Sequence, residues 1–157
     1  RFFEINVMSG VRLSRHYLPA MLQKNWGRIL FISSESAVQI PAEMIHYGMT
    51  KTAQVAIARG IAESVAGTGV TVNSVLVGPT ASEGVGAFVD SMAQQQSKTP
   101  AQIESEFFHH IRPSSLLKRF ETVEEVASMV TYLAGEPASA TNGSALRVDG
   151  GVIKAIL

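Results

Sequence analysis

The sequence predicts an α/β fold built on a doubly wound parallel sheet. Three short apolar runs, at 28–33, 70–77 and 145–148, have the length and the nearly unbroken hydrophobicity of buried strands, and the first has the pattern of a strand covered on both faces. Segments with helical periodicity separate them, so helices and strands alternate along the chain. Alternation of this kind with buried strands indicates right-handed crossovers, with helices on both faces of one sheet.

The first two helices are predicted from the spacing of apolar side chains. One spans roughly 3–24, and Pro19 should bend it because proline has no N–H to bond the carbonyl of Arg15. The next extends from about Met44 to Ala66 and ends at the turn 67–69. Each of these helices is followed directly by a predicted strand.

The C-terminal half contains weaker helical patterns and one strong helix start. Residues 82–112 carry two weak patterns, and the polar stretch 94–100 between them favours a mobile lid rather than core. Thr122 and Glu125 form a capping box, in which the Thr122 hydroxyl and the Glu125 carboxylate each accept a hydrogen bond from the backbone N–H of the other residue. This box predicts a helix to Ala134, after which the chain turns into the last strand.

Composition limits the classes of function. Of 157 residues, 46% are apolar and 17% charged, as in a single globular domain. Thirteen basic residues balance thirteen acidic ones without forming a basic cluster, which argues against nucleic acid as a partner. The absence of cysteine excludes disulfides, thiolate zinc sites and cysteine nucleophiles. No apolar run reaches the about 18 residues of a membrane-spanning helix, so we expect a cytoplasmic protein with no membrane partner.

Tyr47 and Lys51 stand four residues apart, which places a phenol and an amine on one face of a helix. A nearby cation favours the phenolate and should lower the pKa of Tyr47 from about 10 toward the working range of an acid–base catalyst. Ser34 ends the preceding strand and could hydrogen-bond the same substrate oxygen. Open α/β folds bind ligands at this edge of the sheet. Alone, the tyrosine–lysine spacing is weak evidence, because it more often marks a surface pair.

Further motifs surround this pair in a fixed order. They are Asn6 within Glu4-Ile5-Asn6-Val7, Gly27-Arg28-Ile29 before Ser34, Asn73-Ser74-Val75, and Arg147-Val148-Asp149-Gly150-Gly151. With them, nearly the whole chain resembles the C-terminal portion of a short-chain dehydrogenase/reductase of the classical subfamily. The resemblance implies a Rossmann-like fold, NAD or NADP as cofactor, a small-molecule carbonyl or alcohol as substrate, and a homodimer or homotetramer.

The resemblance also implies roles for individual residues. Tyr47 would be the general acid or base, Ser34 would steady the substrate oxygen, and Lys51 would tune Tyr47 and bind the nicotinamide ribose. Asn6 would hold a water of the proton relay, and Asn73 would brace the active-site backbone. The segment after the second predicted strand would contact the nicotinamide through Val77, Gly78, Thr80 and Ser82.

The chain departs from the family pattern in two places. Val77 stands where the family commonly has proline. The loop therefore loses one conformational restraint but keeps its glycine, and we interpret the change as an adjustment of the loop conformation. The larger departure is that the glycine-rich dinucleotide fingerprint and roughly the first four strands have no counterpart. Residues 67–69 precede a strand, whereas a phosphate loop must follow one, and 84–86 lack a third glycine and look like a flexible lid hinge. We therefore expect 1–157 to be a single-domain fragment of a longer enzyme, and inactive alone.

Two alternatives to a carbonyl reductase or alcohol dehydrogenase stay open. One is an epimerase or dehydratase of the extended family, against which the compact ending 147–151 argues. The other is a non-catalytic oligomerisation module, with the first two helices as its interface. A last set of polar residues favours structural roles. Glu35 follows Ser34 and could touch substrate, but a carboxylate in solvent is favoured. His46 fits the pocket mouth or solvent, and His109–His110 lacks a companion at metal-ligand spacing.

Overall fold

The centre of the computed structural model, which describes residues 1–156, is a three-stranded parallel sheet. β1 is Gly27–Ser34, β2 is Val70–Val77 and β3 is Ala145–Val148, and β2 lies between the other two. Ser34 pairs with Val77, and Val77 pairs with Val148. The carboxyl ends of all three strands therefore meet at one edge. The predicted α/β class with a parallel sheet is confirmed.

Five α-helices surround the sheet within the described residues. They are α1 at Ser9–Gln23, α2 at Ile45–Ser64, α3 at Glu83–Gln96, α4 at Pro100–Glu106 and α5 at Val123–Ala134. Wider π-helical turns at Glu4–Met8 and Phe107–Ile111 adjoin α1 and α4, and 3-10 turns cover Glu35–Ala37, Ala42–Met44 and Glu136–Ala138.

The first predicted helix has two parts. Its opening residues form the π-helical turn Glu4–Met8, closed by the Ser9 N–H that donates to the Glu4 carbonyl, and Asn6 lies inside this turn. α1 continues from there through Pro19 to Gln23. Wider turns of this kind occur often at functional sites, because they displace a backbone carbonyl from the helical ladder.

Helices pack on both faces of the sheet, as the doubly wound prediction requires. Alternate strand residues face α2, where Phe31, Val70 and Val72 pack against Ala58 and Ala62. On the opposite face, buried side chains of β2, α5 and the turn after α5 form a second cluster around Val75, Leu133 and Ala138. Each fully buried valine contributes about 1.5–3 kcal/mol of hydrophobic free energy.

Coverage differs between the two long strands. In β2, all residues from Val70 to Leu76 are buried, as predicted. In β1, Ile32 is 44% exposed and 28–30 are only partly buried, so the expectation that β1 is covered on both faces is wrong here. Among the described residues, β1 pairs with β2 alone, which leaves its other edge open. On the side of β2, Arg28 donates to the carbonyls of Gly69, at 3.0 Å, and Gly135, at 3.2 Å.

The segment predicted as a mobile lid is largely helical. The first residues of the polar stretch 94–100 form the last turn of α3, and Ser97 ends that helix in the left-handed region, with φ 53°. Thr99 and Gln102 then form a capping box for α4. Residues 84–86 lie in the first turns of α3, so the hinge interpretation is wrong. The capping box at Thr122 and the helix to Ala134 are confirmed.

The two ends of this helical segment are joined to each other. Thr80 and Glu121 form an isolated parallel bridge. The Ala81 N–H donates to the Glu121 carbonyl at 2.8 Å, and the Glu121 N–H donates to the Pro79 carbonyl at 2.9 Å. Residues 82–120 therefore leave the sheet and return to it at one place, next to the carboxyl end of β2.

Candidate active site

A cavity of about 690 Å³ lies at the carboxyl edge of the sheet. Ser34 and Tyr47 line it on one side, and Gly78, Thr80 and Ser82 line it on another. The wall formed by α3, α4 and the following segment is largely apolar and includes Val85, Phe88, Val89, Ile103, Phe107, Ile111 and Phe120. The fold thus brings most of the predicted site residues onto one cavity, although they are far apart in the chain.

Ser34 is held in place by the start of a turn. Its backbone is extended, and its Oγ accepts a hydrogen bond from the Ser36 N–H at 3.1 Å, which caps the turn Glu35–Ala37. Ser34 is buried. A serine hydroxyl has one donor and can also accept, so while Oγ accepts from Ser36 its single O–H can donate either to the Tyr47 oxygen or to a ligand.

Tyr47 lies in the first turn of α2 and has a pKa above its ordinary value of 10.0. Burial is the main cause, since it penalises the charged phenolate. A hydrogen bond with Ser34 lowers the pKa, and the negative charge of Glu35 raises it. The expected net lowering of this pKa by Lys51 is therefore wrong for this structure.

Lys51 lies on the same face of α2 as Tyr47, as predicted. Its Nζ is 5.6 Å from the centre of the Tyr47 ring and donates to the Ile32 carbonyl at 2.9 Å. Burial lowers the pKa of Lys51, because the ammonium is partly removed from water. Lys51 is thus fixed between the end of β1 and the aromatic ring.

Asn6 is joined to the Tyr47 turn by Thr50, a residue for which no sequence pattern predicted a role. The Asn6 Nδ2 donates to Thr50 Oγ1 at 3.0 Å, and Thr50 Oγ1 donates to the Tyr47 carbonyl at 2.7 Å. Gln54 Nε2 donates to the Asn6 carbonyl at 2.6 Å. Both Thr50 and Gln54 are buried. These bonds fix the π-helical turn against α2.

Two other predicted residues lie away from the cavity. Val77 packs against the cluster of Val75, Leu133 and Ala138 rather than on the cavity wall. Asn73 is fully buried and binds the turn before β3, where its Nδ2 donates to the Thr141 carbonyl at 2.8 Å and its Oδ1 accepts from the Ser144 N–H at 3.0 Å. Asn73 therefore braces the start of β3 directly.

Glu35 is buried, so the prediction of a solvent-exposed carboxylate is wrong. Arg112 Nε donates to Glu35 Oε1 at 2.9 Å, and both side chains line the cavity. Arg112 was not singled out in the sequence, because the two residues are 77 positions apart and no local pattern connects them. His46, in contrast, is exposed as expected and packs edge-on against Phe2 at 4.7 Å.

Glu121 is a second buried acid beside the predicted nicotinamide segment. Its pKa is raised from 4.5 to about 7, chiefly by burial and further by the nearby charge of Asp149. The Gly78 N–H lowers this pKa, and that glycine also bonds the Val148 carbonyl at 2.7 Å. The carboxyl group thus lies where β2, β3 and the return of the helical segment meet.

A family model described as enoyl-(acyl carrier protein) reductase matches residues 1–153. The chain belongs to the short-chain dehydrogenase/reductase family. Within this family, the oxidoreductase YvrD of Bacillus subtilis (strain 168), described as uncharacterized, is 49% identical over 156 residues, which are 99% of this chain and 59% of that protein. The D-beta-hydroxybutyrate dehydrogenase of Rhizobium meliloti (strain 1021) is 32% identical over 151 residues, 96% of this chain and 57% of that protein.

A solved member of similar structure is the L-sorbose reductase of Gluconobacter frateurii, complexed with NADPH and L-sorbose. It superposes with a TM-score of 0.91 at 26% identity, over 99% of this chain and 58% of that one. The chain therefore spans less than two thirds of the length of these family members. Within residues 1–156, no helix combines the length and hydrophobicity needed to cross a membrane. The same residues form no group of three or more side chains suited to a metal ion.

Proposed function

We propose that residues 1–157 are the C-terminal part of a longer NAD(P)-dependent oxidoreductase that interconverts a carbonyl and a secondary alcohol. The observation that carries this proposal is the shared cavity of Ser34, Tyr47 and the segment 78–82. Family membership supports it, as do the dehydrogenase and NADPH-bound reductase among the similar proteins. β1 has an open edge, and the chain covers only 59% of the length of YvrD. Both observations support a longer domain.

The residues present fit the nicotinamide end of the cofactor. An ammonium group has three donors, and Lys51 uses one of them on the Ile32 carbonyl, so others remain for a ribose hydroxyl. Gly78, Thr80 and Ser82 lie on the cavity wall, as a nicotinamide contact requires, whereas Val77 packs behind that wall and would position Gly78. The bound cofactor would supply or accept the hydride. The remaining length of the protein would hold its phosphates.

In the direction of reduction, Tyr47 acts as the acid. The ordinary pKa of 10.0 already leaves the phenol protonated at neutral pH and burial raises it further, so a proton is available for the substrate oxygen. Ser34 donates a hydrogen bond to the same oxygen and orients it. As the proton leaves, the phenolate forms beside the ammonium of Lys51, which stabilises the negative charge. Asn6 holds a water that returns a proton toward Lys51 and Tyr47.

Replacement of Tyr47 by phenylalanine in the full-length protein tests this role. Tyr47→Phe should lower kcat by about 10²–10⁴-fold, because the acid is lost while the ring remains. Tyr132→Phe is the matched control, since Tyr132 lies on α5, is 46% exposed and is outside the cavity. Unchanged turnover by a correctly folded Tyr47→Phe protein would overturn the assignment.

Cofactor titration tests whether the chain is part of a longer domain. The full-length protein should bind NADH or NADPH with quenching or enhancement of nicotinamide fluorescence, whereas residues 1–157 alone should not. Binding by neither form would favour the non-catalytic module instead. Equal binding by both forms would contradict the proposal that the phosphate-binding part lies outside this chain.

We also propose that the protein assembles through α1 and α2 as a homodimer or homotetramer. These helices expose large apolar side chains, including Leu13 at 59%, Tyr17 at 54% and Ile45 at 65%. Exposed apolar surface of this kind marks interaction sites. In light scattering, Leu13→Glu should reduce the mass of the full-length assembly, while Leu116→Glu, on a leucine outside these helices that is 84% exposed, should not.

A further inference from the structure

We infer that the substrate is an uncharged ketone whose larger substituent is apolar, and that Phe88 recognises this substituent. The inference rests on the proposed function, because it takes Ser34 and Tyr47 as the reacting end of the cavity. It adds a substrate class and a specificity-determining residue.

Phe88 lies on the face of α3 that lines the cavity. Val85, Phe88 and Val89 stand at positions i, i+3 and i+4 of this helix, which share one side, and all three line the cavity. The fold does not bury Phe88, since the residue is 59% exposed. A large apolar side chain that borders a cavity and is open to solvent favours the binding of an apolar group, because both surfaces then leave water.

A buried ring holds another part of the wall in place. Phe107 and Phe120 line the cavity, and their ring centroids are 5.1 Å apart. Phe108 is only 2% exposed, and its ring centroid lies 5.0 Å from that of Phe107 and 5.1 Å from that of Phe120. These separations are those of favourable aromatic pairs. The wall is therefore a preformed apolar surface.

The apolar wall and the proposed reacting groups border one cavity. Its volume of about 690 Å³ leaves room for a substituent as large as an aromatic ring beside Ser34 and Tyr47. In the proposed longer domain, further strands would pair with the open edge of β1, whereas the wall is attached at the end of β2 by the bridge between Thr80 and Glu121. The molecule whose carbonyl lies at Ser34 and Tyr47 is thus the occupant that this wall contacts.

The charges around the cavity disfavour an anionic substrate. Arg112 is the only basic side chain among residues 1–156 that lines the cavity. It is 8% exposed, its Nε donates to Glu35 Oε1 at 2.9 Å, and its Nη1 lies 3.7 Å from Glu43 Oε1. Two acids therefore surround one guanidinium. A substrate carboxylate would meet an excess of negative charge in a site partly removed from water.

Hydroxyl groups at the start of α3 are already engaged, which disfavours a polyhydroxylated substrate. Thr80 Oγ1 donates to the Gly78 carbonyl at 3.0 Å, and Ser82 Oγ accepts from the Val85 N–H at 3.4 Å and caps α3. Each substrate hydroxyl that leaves water needs a new hydrogen-bond partner, because a buried hydroxyl without one is costly. The phenylalanine side chains of the wall offer no such partner.

The test compares four methyl ketones, using the full-length protein with NADPH and with NADH. They share the butan-2-one skeleton and differ only in the group at its ethyl end, which is hydrogen in butan-2-one, phenyl in 4-phenylbutan-2-one, hydroxyl in 4-hydroxybutan-2-one and carboxylate in 4-oxopentanoate. We expect kcat/KM for the phenyl ketone to exceed that for butan-2-one by about 10–100-fold, because the ring is buried against the wall. The hydroxyl should give no gain over hydrogen, and the carboxylate should give the poorest substrate.

The variant Phe88→Ala connects this preference to the residue. The ratio of kcat/KM between the phenyl ketone and butan-2-one should fall by about 2–10-fold, because one aromatic partner of the substrate ring is lost. Tyr132→Ala is the matched control, since it removes a ring that is 46% exposed on α5 and outside the cavity, and it should keep the wild-type ratio. Because Phe88 is exposed, the urea midpoint of Phe88→Ala should match that of the wild type. The order of the four ketones in the wild type needs no variant.

The outcomes separate this inference from the proposed function. Equal turnover of the phenyl ketone and butan-2-one overturns the substrate class, as does a higher kcat/KM for the hydroxyl or carboxylate ketone than for the phenyl ketone. A ratio that Phe88→Ala changes no more than Tyr132→Ala does overturns the role of Phe88. The proposed function fails separately, when the full-length protein binds neither NADH nor NADPH. Cofactor binding without turnover of any of the four ketones would retain that binding and reject the substrate class.

Discussion

Gly78 packs directly against the carboxyl group of Glu121. A Cβ atom at Gly78 would lie 2.6 Å from Glu121 Oε1, and it would also meet the Asp149 backbone, at 2.7 Å from its Cα. The second contact is the more restrictive, because backbone atoms cannot rotate away as a side chain can. Only a glycine therefore allows the end of β2, the residue after β3 and Glu121 to meet at this point.

Gly78→Ala should therefore destabilise the full-length protein by about 1–3 kcal/mol through overpacking. Equilibrium unfolding in urea measures the change. Gly84→Ala is the matched control, because Gly84 lies in α3 with no atom within 4 Å of an added Cβ, and the same change there should stabilise by up to about 1 kcal/mol. If Gly78→Ala proves as stable as Gly84→Ala, the packing described here is wrong.

Glu121 should make stability depend on pH. Its pKa is about 7 in the folded protein against 4.5 ordinarily, because burial and the charges of Asp149 and Glu125 outweigh Arg119 and the Gly78 N–H. The folded state thus holds this proton more tightly than the unfolded state. The resulting stabilisation is complete below about pH 4.5 and is lost as the pH rises through about 7.

Glu121→Gln should remove this dependence, because an amide does not titrate. Between pH 5 and pH 8, the free energy of unfolding of the wild type should fall relative to that of the variant by on the order of 1–3 kcal/mol. Urea midpoints of both proteins at the two pH values give the comparison. A constant difference between them would contradict the assigned pKa.

The raised pKa of Tyr47 predicts opposite pH profiles for the two reaction directions. The acid needed for reduction should persist through neutral pH and be lost only above 10.0, while oxidation, which needs the phenolate, should speed up with rising pH. Glu35→Gln should shift both profiles to lower pH, because it removes a negative charge that raises this pKa, and Ser34→Ala should shift them to higher pH. Initial rates of the full-length protein between pH 6 and pH 10.5 test this.

Thr50 should couple Asn6 to α2 energetically. Thr50→Val removes a hydroxyl that both accepts from Asn6 and donates to the Tyr47 carbonyl, and should cost about 1–3 kcal/mol because a buried donor loses its partner. In a double-mutant cycle with Asn6→Ala, the coupling energy should reach at least about 0.5 kcal/mol. Strictly additive changes would show that the bond between the two side chains does not stabilise the fold.

Local patterns carried most of the fold prediction. The buried run of β2 and the capping box at Thr122 each act through neighbouring residues, and both were correct in position. The boundary between α3 and α4 was harder to predict, because the polar stretch 94–100 resembles a loop in composition. Its helix ends depend on the capping of Thr99 by Gln102 and on the left-handed Ser97, which are details of geometry rather than of hydrophobicity.

The site could be predicted only where its residues follow a helix or strand period. Tyr47 and Lys51 share a helix face, so their proximity follows from spacing alone. The partnership of Glu35 with Arg112 depends on how the helical segment returns across the cavity, and no local signal contains that information. The sign of the Tyr47 pKa shift was missed for a related reason, since burial, which depends on the whole cavity, raises this pKa and outweighs the Ser34 hydrogen bond that lowers it.

The bridge between Thr80 and Glu121 would allow the segment between them to vary in length and sequence. The Thr80–Glu121 bridge holds the two ends of 82–120 together. Because the entropic cost of closing a loop grows only slowly with its length, a longer segment between these ends would add little to that cost. Insertions or exchanges within it would leave the pairing of the three strands intact. Changes within 82–120 would therefore alter the apolar wall of the cavity, which includes Phe88 and Phe107, while Ser34 and Tyr47 keep their positions.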